Sequence, residues 1–568
     1  MSTKIKAIAY LGLLTLVGQL AIACGGAPIS ESGSGRGDRT LLERRVTSTP
    51  RDEFPSPTEQ NSAIAPSTQT SSEIVNIAPR PTVSSNVLTQ VNPLPEEESQ
   101  ETYDRIEETG FKLAESDPFS TFSIDVDTAS YSNIRRFINN GQTPPKDAVR
   151  IEELINYFNY EYPQPQGSEP FAIATEVSRS PWNPQHQLVH IGIQGKRIAT
   201  EDLPPNNLVF LIDVSGSMTE ANKLPLLKSA FKLLVGEMRP EDTVSIVVYA
   251  GAAGVVLPPT PGDRKDVILM AIDRLAAGGS TAGGEGIKLA YQLAKRNFKR
   301  SGNNRVILAT DGDFNIGISS DTELVKLIEE KREDDIFLTI LGVGMGNFQD
   351  SKMEKLANQG NGNYAYIDNE LEAKKVLVKE MGGTLLTIAK DVKIQVDFNP
   401  VKVKAYRLIG YENRRLKNED FNDDTKDAGE LGAGHTVTAL YEIVPVGVET
   451  SVKLPDIDAS KYQQNEATNS DELMEVKLRY KQPDRDTSQL LAYPIEDIEK
   501  PFNETSENFK FSAAVASFGM VLRDSPDRGR ASFAGVLKLA KESQGVDLEG
   551  YRAEFIRLVQ ASQKLAKQ

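Results

Sequence analysis

Cysteine and histidine are nearly missing from this 568-residue chain: one Cys, at Cys24, and three His, at His186, His190 and His435. That scarcity excludes a disulfide framework and a Cys/His zinc centre, since each needs several such residues at fixed spacings. Positive charge is also short, with 64 Lys and Arg against 80 Asp and Glu and a net charge of −16. A nucleic-acid binder needs a basic face for the phosphates, so that class is set aside. A solvated acidic surface suits divalent cations or basic partners instead. No second long apolar run follows the one near the N-terminus, which excludes a multi-pass membrane protein. The hydrophobic share of 39% is low for a wholly folded chain and points to a disordered portion. The length itself requires two or three domains.

At the N-terminus, Lys4 and Lys6 precede an apolar run from Ala7 to Ala23, the layout of an export signal. Cys24 directly follows Ala21-Ile22-Ala23. The segment resembles the lipobox of bacterial lipoproteins, with one departure: Ala21 stands where Leu is usual, and Leu20 lies one place upstream. The resemblance implies a signal peptide over 1–23, cleavage before Cys24 and lipid on its sulfur. Two or three acyl chains hold a protein stably on a membrane, whereas one is marginal. Gly25 is not an Asp retention signal, so the expected place is the outer membrane if the cell has one, otherwise the outer face of the cell membrane.

Residues 24–116 are rich in Ser, Pro, Thr, Asn and Glu and read as a disordered tether. A flexible stretch of ~90 residues spans roughly 50 Å, enough to lift a globular head off the lipid. Arg36-Gly37-Asp38 within it reads as chance in a Gly/Ser-rich linker. Order is expected from Asp117, opening a module over 117–200. There FSIDV alternates like a strand and SYSNIRRFI has helical spacing. Asp125 and Asp127 look at first like a metal loop, but the segment supplies too few oxygens, and capping by Asp127 or Thr128 is the better reading. VRIEELINYFNYEY reads as a helix, and FAIATEVSRSPWN and QLVHIGIQGK as strands, with His186 and His190 structural.

From 201 to 383, apolar runs alternate with amphipathic helices. LVFLID, TVSIVVYA, RVILAT and IFLTILGVG lack polar alternation, as strands buried on both faces do. The fold class is therefore α/β, a mostly parallel sheet covered on both faces. Ligands on such sheets sit beyond the carboxyl ends of the strands. At those ends stand Asp213, Ser215 and Ser217 in LVFLIDVSGSM, Thr281 in GGSTAGGEGI, and Asp311 in RVILATDGD. Two carboxylates and three hydroxyls make a hard oxygen site, which suits Mg²⁺ with water retained.

This set resembles the metal-ion-dependent adhesion site of von Willebrand factor type A domains. The resemblance implies a Rossmann-like fold and a metal held by Ser215, Ser217 and Thr281 directly, with Asp213 and Asp311 often acting through water. It implies Mg²⁺ (or Mn²⁺ or Ca²⁺) as cofactor, and a partner protein's Asp or Glu in the last coordination position. Two rival readings fail on detail. The stretch from Asp311 begins like an EF-hand loop, but Ile316 stands where Gly is needed and Thr322 where the bidentate Glu belongs. GGSTA lacks the closing Gly of a nucleophile elbow.

After 384 the pattern changes to alternating strands and then to amphipathic helices up to 568, a β-rich, sandwich-like and helical extension. Asp420, Asp423 and Asp424 read as a solvated hairpin tip rather than a Ca²⁺ loop. Strands near 171–195 and after 391 each lack a closed set of their own, so they are expected to pair with each other around an inserted central domain. The whole chain is similar to bacterial lipoproteins that carry a von Willebrand type A domain between such flanks. The function this implies is non-enzymatic: a lipid-anchored envelope protein that binds a protein partner through a divalent cation. The alternatives are a substrate-recruiting subunit of an envelope enzyme complex and a structural envelope scaffold.

Overall fold

The computed structural model describes residues 100–279, 283–312, 321–380, 386–455 and 470–567. Cys24, the signal segment, Arg36-Gly37-Asp38 and Thr281 lie outside the described residues.

Packing is established from the first described residue, earlier than composition suggested. Gln100 N donates to Gly346 O at 2.8 Å, and Arg136 holds Glu101 in an ion pair of 2.7 Å. Phe111 is 3% exposed, just before β1 (Lys112–Leu113). A few well-placed side chains order this polar stretch, which averaged composition does not register. β2 (Phe119–Ser123), α1 (Ala129–Asn139), α2 (Ile151–Asn156), β3 (Phe171–Arg179) and β4 (Gln187–Gly195) follow. Asp127 and Thr128 do not cap α1 through their side chains. Glu153 does so from α2, its carboxylate accepting from Ser130 N at 2.7 Å. Asp125 and Asp127 instead bind Arg414.

The central unit carries β5 (Asn206–Asp213), α3 (Leu224–Glu237), β6 (Thr243–Tyr249), β7 (Ala253–Pro261), α4 (Lys265–Asp273), α5 (Gly283–Arg296), β8 (Asn303–Thr310), α6 (Asp321–Glu333), β9 (Phe337–Gly342), α7 (Asp350–Gln359), β10 (Tyr364–Tyr366) and α8 (Glu370–Lys374). Its sheet runs β10-β9-β8-β5-β6-β7, parallel except for β7 at the edge. β5 and β8 are buried at every position because helices cover both faces: α3, α4 and α8 on one side, α5, α6 and α7 on the other.

The chain then enters β11 (Thr387–Phe398), β12 (Val403–Ile409), β13 (Gly429–Gly432), β14 (Thr436–Pro445), β15 (Glu472–Lys481), β16 (Ser488–Glu496) and β17 (Glu499–Lys500). β14 pairs antiparallel with β4 from Thr436↔Gln194 to Ile443↔Gln187, so strands before and after the central unit share one sheet, β1-β12-β14-β4-β3-β17. β13-β11-β15-β16 with β2 forms a second sheet, and the two face each other across Ile191, Val396, Tyr441 and Val476. Helices α9 (Glu507–Arg523), α10 (Phe533–Glu542) and α11 (Tyr551–Leu565) join α1 and α2 around a core that includes Leu188 and Leu440. The central unit is thus inserted into a two-sheet, helix-backed unit built from both flanks.

Candidate metal centre

β5 ends at Asp213, and the chain turns through Val214 to a short helical turn over Gly216–Thr219. The turn is pinned by its neighbours: Val214 N donates to Tyr249 O at 3.0 Å and Gly216 N to Gly279 O at 3.0 Å. Gly278 N returns a bond of 2.8 Å to Val214 O. The loop ending at Gly279 therefore lies against the Asp213–Ser217 turn, and Thr281 is two residues farther along the chain.

Asp213 is fully buried at the strand end, not exposed on the loop. Its Oδ1 accepts from Ser215 N at 2.8 Å. Its Oδ2 accepts from Tyr249 OH at 3.1 Å and Thr310 Oγ1 at 3.2 Å. Burial pushes the Asp213 carboxyl above its usual range, the Ser215 bonds pull it down, and the nearby Asp311 charge pushes it up again. Ser215 Oγ and Ser217 Oγ are 3.1 Å apart, the first buried and the second exposed.

Asp311 follows β8 and is also fully buried. Its Oδ2 accepts from Lys223 Nζ at 3.0 Å and Asn347 Nδ2 at 3.4 Å. The next residue must be Gly: Gly312 has φ +97°, and a Cβ there would lie 2.6 Å from Gln349 N. This close approach brings the loop after β9, with Asn347, against the Asp311 strand end.

The structure therefore gathers Asp213, Ser215, Ser217 and Asp311 at the carboxyl end of the sheet. Their donor chemistry fits a hard divalent cation: two buried carboxylates, with the Asp311 charge near enough to push the Asp213 carboxyl up, paired hydroxyls, and an opening to solvent at Ser217. Lys223 escaped the sequence reading, because a Lys at a helix start reads as surface. Among the described residues another acidic group, Asp391, Asp427 and Glu430, could also gather around an ion. Lys481 already pairs with Asp391 and Arg332 with Asp427, each at 2.7 Å.

The three imidazoles lie elsewhere. His186 Nδ1 contacts Glu442 at 2.6 Å, and His190 Nε2 contacts Tyr162 OH at 2.9 Å, both inside the flanking unit. His435 is half-buried beside β14 and pushed down to about 4 by the desolvation of its ring and by Lys375 and Arg305.

Sheet order, helix cover and strand-end loops define a protein built around a von Willebrand factor type A domain. The model of the "von Willebrand factor type A domain" matches residues 208–313, that of "von Willebrand factor" residues 97–190, and that of "Uncharacterized protein YfbK, C-terminal" residues 383–565. The chain is 44% identical over 466 residues to the "Uncharacterized protein YfbK" of Escherichia coli K12, spanning 81% of this chain and 80% of that protein. It belongs to the YfbK family. It is also 25% identical to human "Inter-alpha-trypsin inhibitor heavy chain H3" over 51% of this chain and 34% of that protein. A "von Willebrand factor type A" structure from Catenulispora acidiphila is 16% identical, with a TM-score of 0.37, over 67% of this chain and 88% of that one.

Proposed function

We propose that the protein binds a partner protein through a divalent cation, Mg²⁺ or alternatively Mn²⁺ or Ca²⁺, held by Asp213, Ser215, Ser217, Thr281 and Asp311. The observation that carries this reading is the convergence of two buried carboxylates and the Ser215–Ser217 hydroxyl pair at the strand ends. Water completes the shell in the absence of a partner, because these side chains supply too few direct oxygens for octahedral Mg²⁺. A partner Asp or Glu replaces one water and gains attraction to the cation. Exposure at Gly216 and Ser217 favours this reading over a metal that only stabilises the fold, which needs no opening. Acyl chains on Cys24 place this head on the cell envelope.

The test is a pull-down from detergent-solubilised membranes with tagged wild type and Asp213→Asn, in Mg²⁺ or EDTA. Capture of the same protein by wild type in Mg²⁺, lost in EDTA and lost with Asp213→Asn, supports the reading. Capture undiminished in EDTA contradicts it.

A further inference from the structure

Lys223 is the cation already built into this site. Its Nζ lies 3.0 Å from Asp311 Oδ2, with side-chain exposures of 4% and 0% for the pair. A lysine is almost never this buried without a charge partner. Its route is shaped for it: the stem passes Gly344, at φ +78°, where a Cβ would stand 2.4 Å from Lys223 Cε. The backbone on both sides is also fixed, since Lys223 N donates to Glu220 O at 3.0 Å and Leu227 N to Lys223 O at 3.0 Å. The ammonium is thus delivered to Asp311 by a stiff turn, on the side shared with Asn347.

The charge count follows. Asp213 and Asp311 bring two negative charges and Lys223 returns one positive. A divalent cation then leaves the centre at a net +1, where a site without Lys223 would reach zero. The added positive charge repels the incoming metal and, once the metal is bound, attracts an outside anion. We propose that Lys223 is a positioning residue that sets this balance: it weakens metal affinity and strengthens capture of a carboxylate by the metal-loaded site. The inference rests on the metal-site reading above. For one unit charge ~6–8 Å from a divalent ion, Coulomb's law gives an effect of roughly tenfold at a water-like dielectric constant and more than about a thousandfold at an effective value of about 20.

The experiment uses the full chain in detergent, with Lys223→Met and Lys223→Gln as neutral variants and Lys223→Arg keeping the charge. Calorimetry reads Mn²⁺ affinity, and water-proton relaxation of the Mn²⁺-loaded protein reads displacement of bound water by acetate. The neutral variants are expected to bind Mn²⁺ at least tenfold tighter and acetate at least threefold weaker, with Lys223→Arg close to wild type. A merely structural lysine does not move the two affinities in opposite directions. Mn²⁺ affinity unchanged or weakened in both neutral variants, or acetate capture strengthened, overturns the proposal. Asp213→Asn separates the two readings. If it abolishes Mn²⁺ uptake while the Lys223 variants change nothing, the metal site stands and the role of Lys223 falls. If wild type takes up no Mn²⁺, both fall.

Discussion

Arg150 and Asp350 form a buried ion pair, Nη1 to Oδ2 2.5 Å, that joins the start of α2 to the first residue of α7. Arg150 also binds Glu153, and its Nη1 lies 3.6 Å from Glu354, so one guanidinium serves three carboxylates at the boundary between the flanking unit and the von Willebrand type A domain. Arg135 repeats the arrangement with Asp368 at 2.5 Å and Glu372 at 2.7 Å, next to α8. These two buried clusters fix the inserted domain to its host, together with contacts such as Arg332–Asp427.

Removing Arg150 leaves several carboxylates buried without their counter-charge. Arg150→Met is expected to lower unfolding free energy by about 3–5 kcal/mol, the cost of breaking rather than replacing a buried pair. Lys146→Met, which removes the exposed partner of Asp524, is expected to leave stability nearly unchanged. Urea titration of both variants checks the contrast, and equal small losses would show that the Arg150 network is relaxed by water.

The shared sheet predicts that neither flank folds alone. In a fragment of residues 384–568, β14 lacks its partner β4 and β11 lacks its partner β2, so the core between the sheets loses Val189, Ile191, Ile193 and Phe122. That fragment is expected to show no cooperative urea transition, and co-expression with residues 100–200 is expected to restore one. A sharp transition of the isolated fragment contradicts the two-flank architecture.

Desolvation of the ring pushes His190 down to about 4, as it does His435. Both are lowered below the unfolded value near 6.5, so between that value and about 4 the unfolded chain binds more protons. Their contribution to stability is fully present above pH 6.5 and is lost as pH falls through about 4. Imidazole proton NMR on His190→Gln and His435→Gln, used for assignment, is expected to show both rings neutral at pH 5.5. Titration of either near 6.5 contradicts the lowering of its ring's proton affinity.

Much of this was legible because periodicity reports burial. LVFLID and RVILAT read as strands covered on both faces, and they are. The Asp213, Ser215, Ser217 and Asp311 pattern was legible because strand ends and oxygen donors coincide in sequence. What escaped depended on distant partners or on edges. β7, absent from the strands expected from the sequence, carries Pro258, Pro259 and Pro261, tolerated because it is an edge strand. β16, another edge, hides Pro494 in the same way. Asp127 read as a cap because Arg414, 287 residues beyond it, is invisible locally. The predicted helix over 149–162 stops at Asn156, where its aromatic residues continue into the core as a turn, with Tyr160 OH bonding back to Ile155 O at 3.0 Å.

The anchoring expectation has its own test. Cys24→Ser is expected to release an unprocessed or soluble form, and intact mass of the membrane-purified wild type is expected to show cleavage before Cys24 with lipid attached. An uncleaved, unmodified N-terminus contradicts it.

The most direct measurement is calorimetry of Mg²⁺ and Mn²⁺ with wild type and Asp213→Asn. The Asn variant is preferred to Ala because Tyr249 OH, Thr310 Oγ1 and Ser215 N all donate to Asp213, and an Ala would leave them facing a void. The account predicts saturable, one-site heat for wild type and none for Asp213→Asn at the same concentrations, with the two proteins equally folded. Equal heats from both proteins would show that Asp213, Ser215, Ser217 and Asp311 only shape the turn.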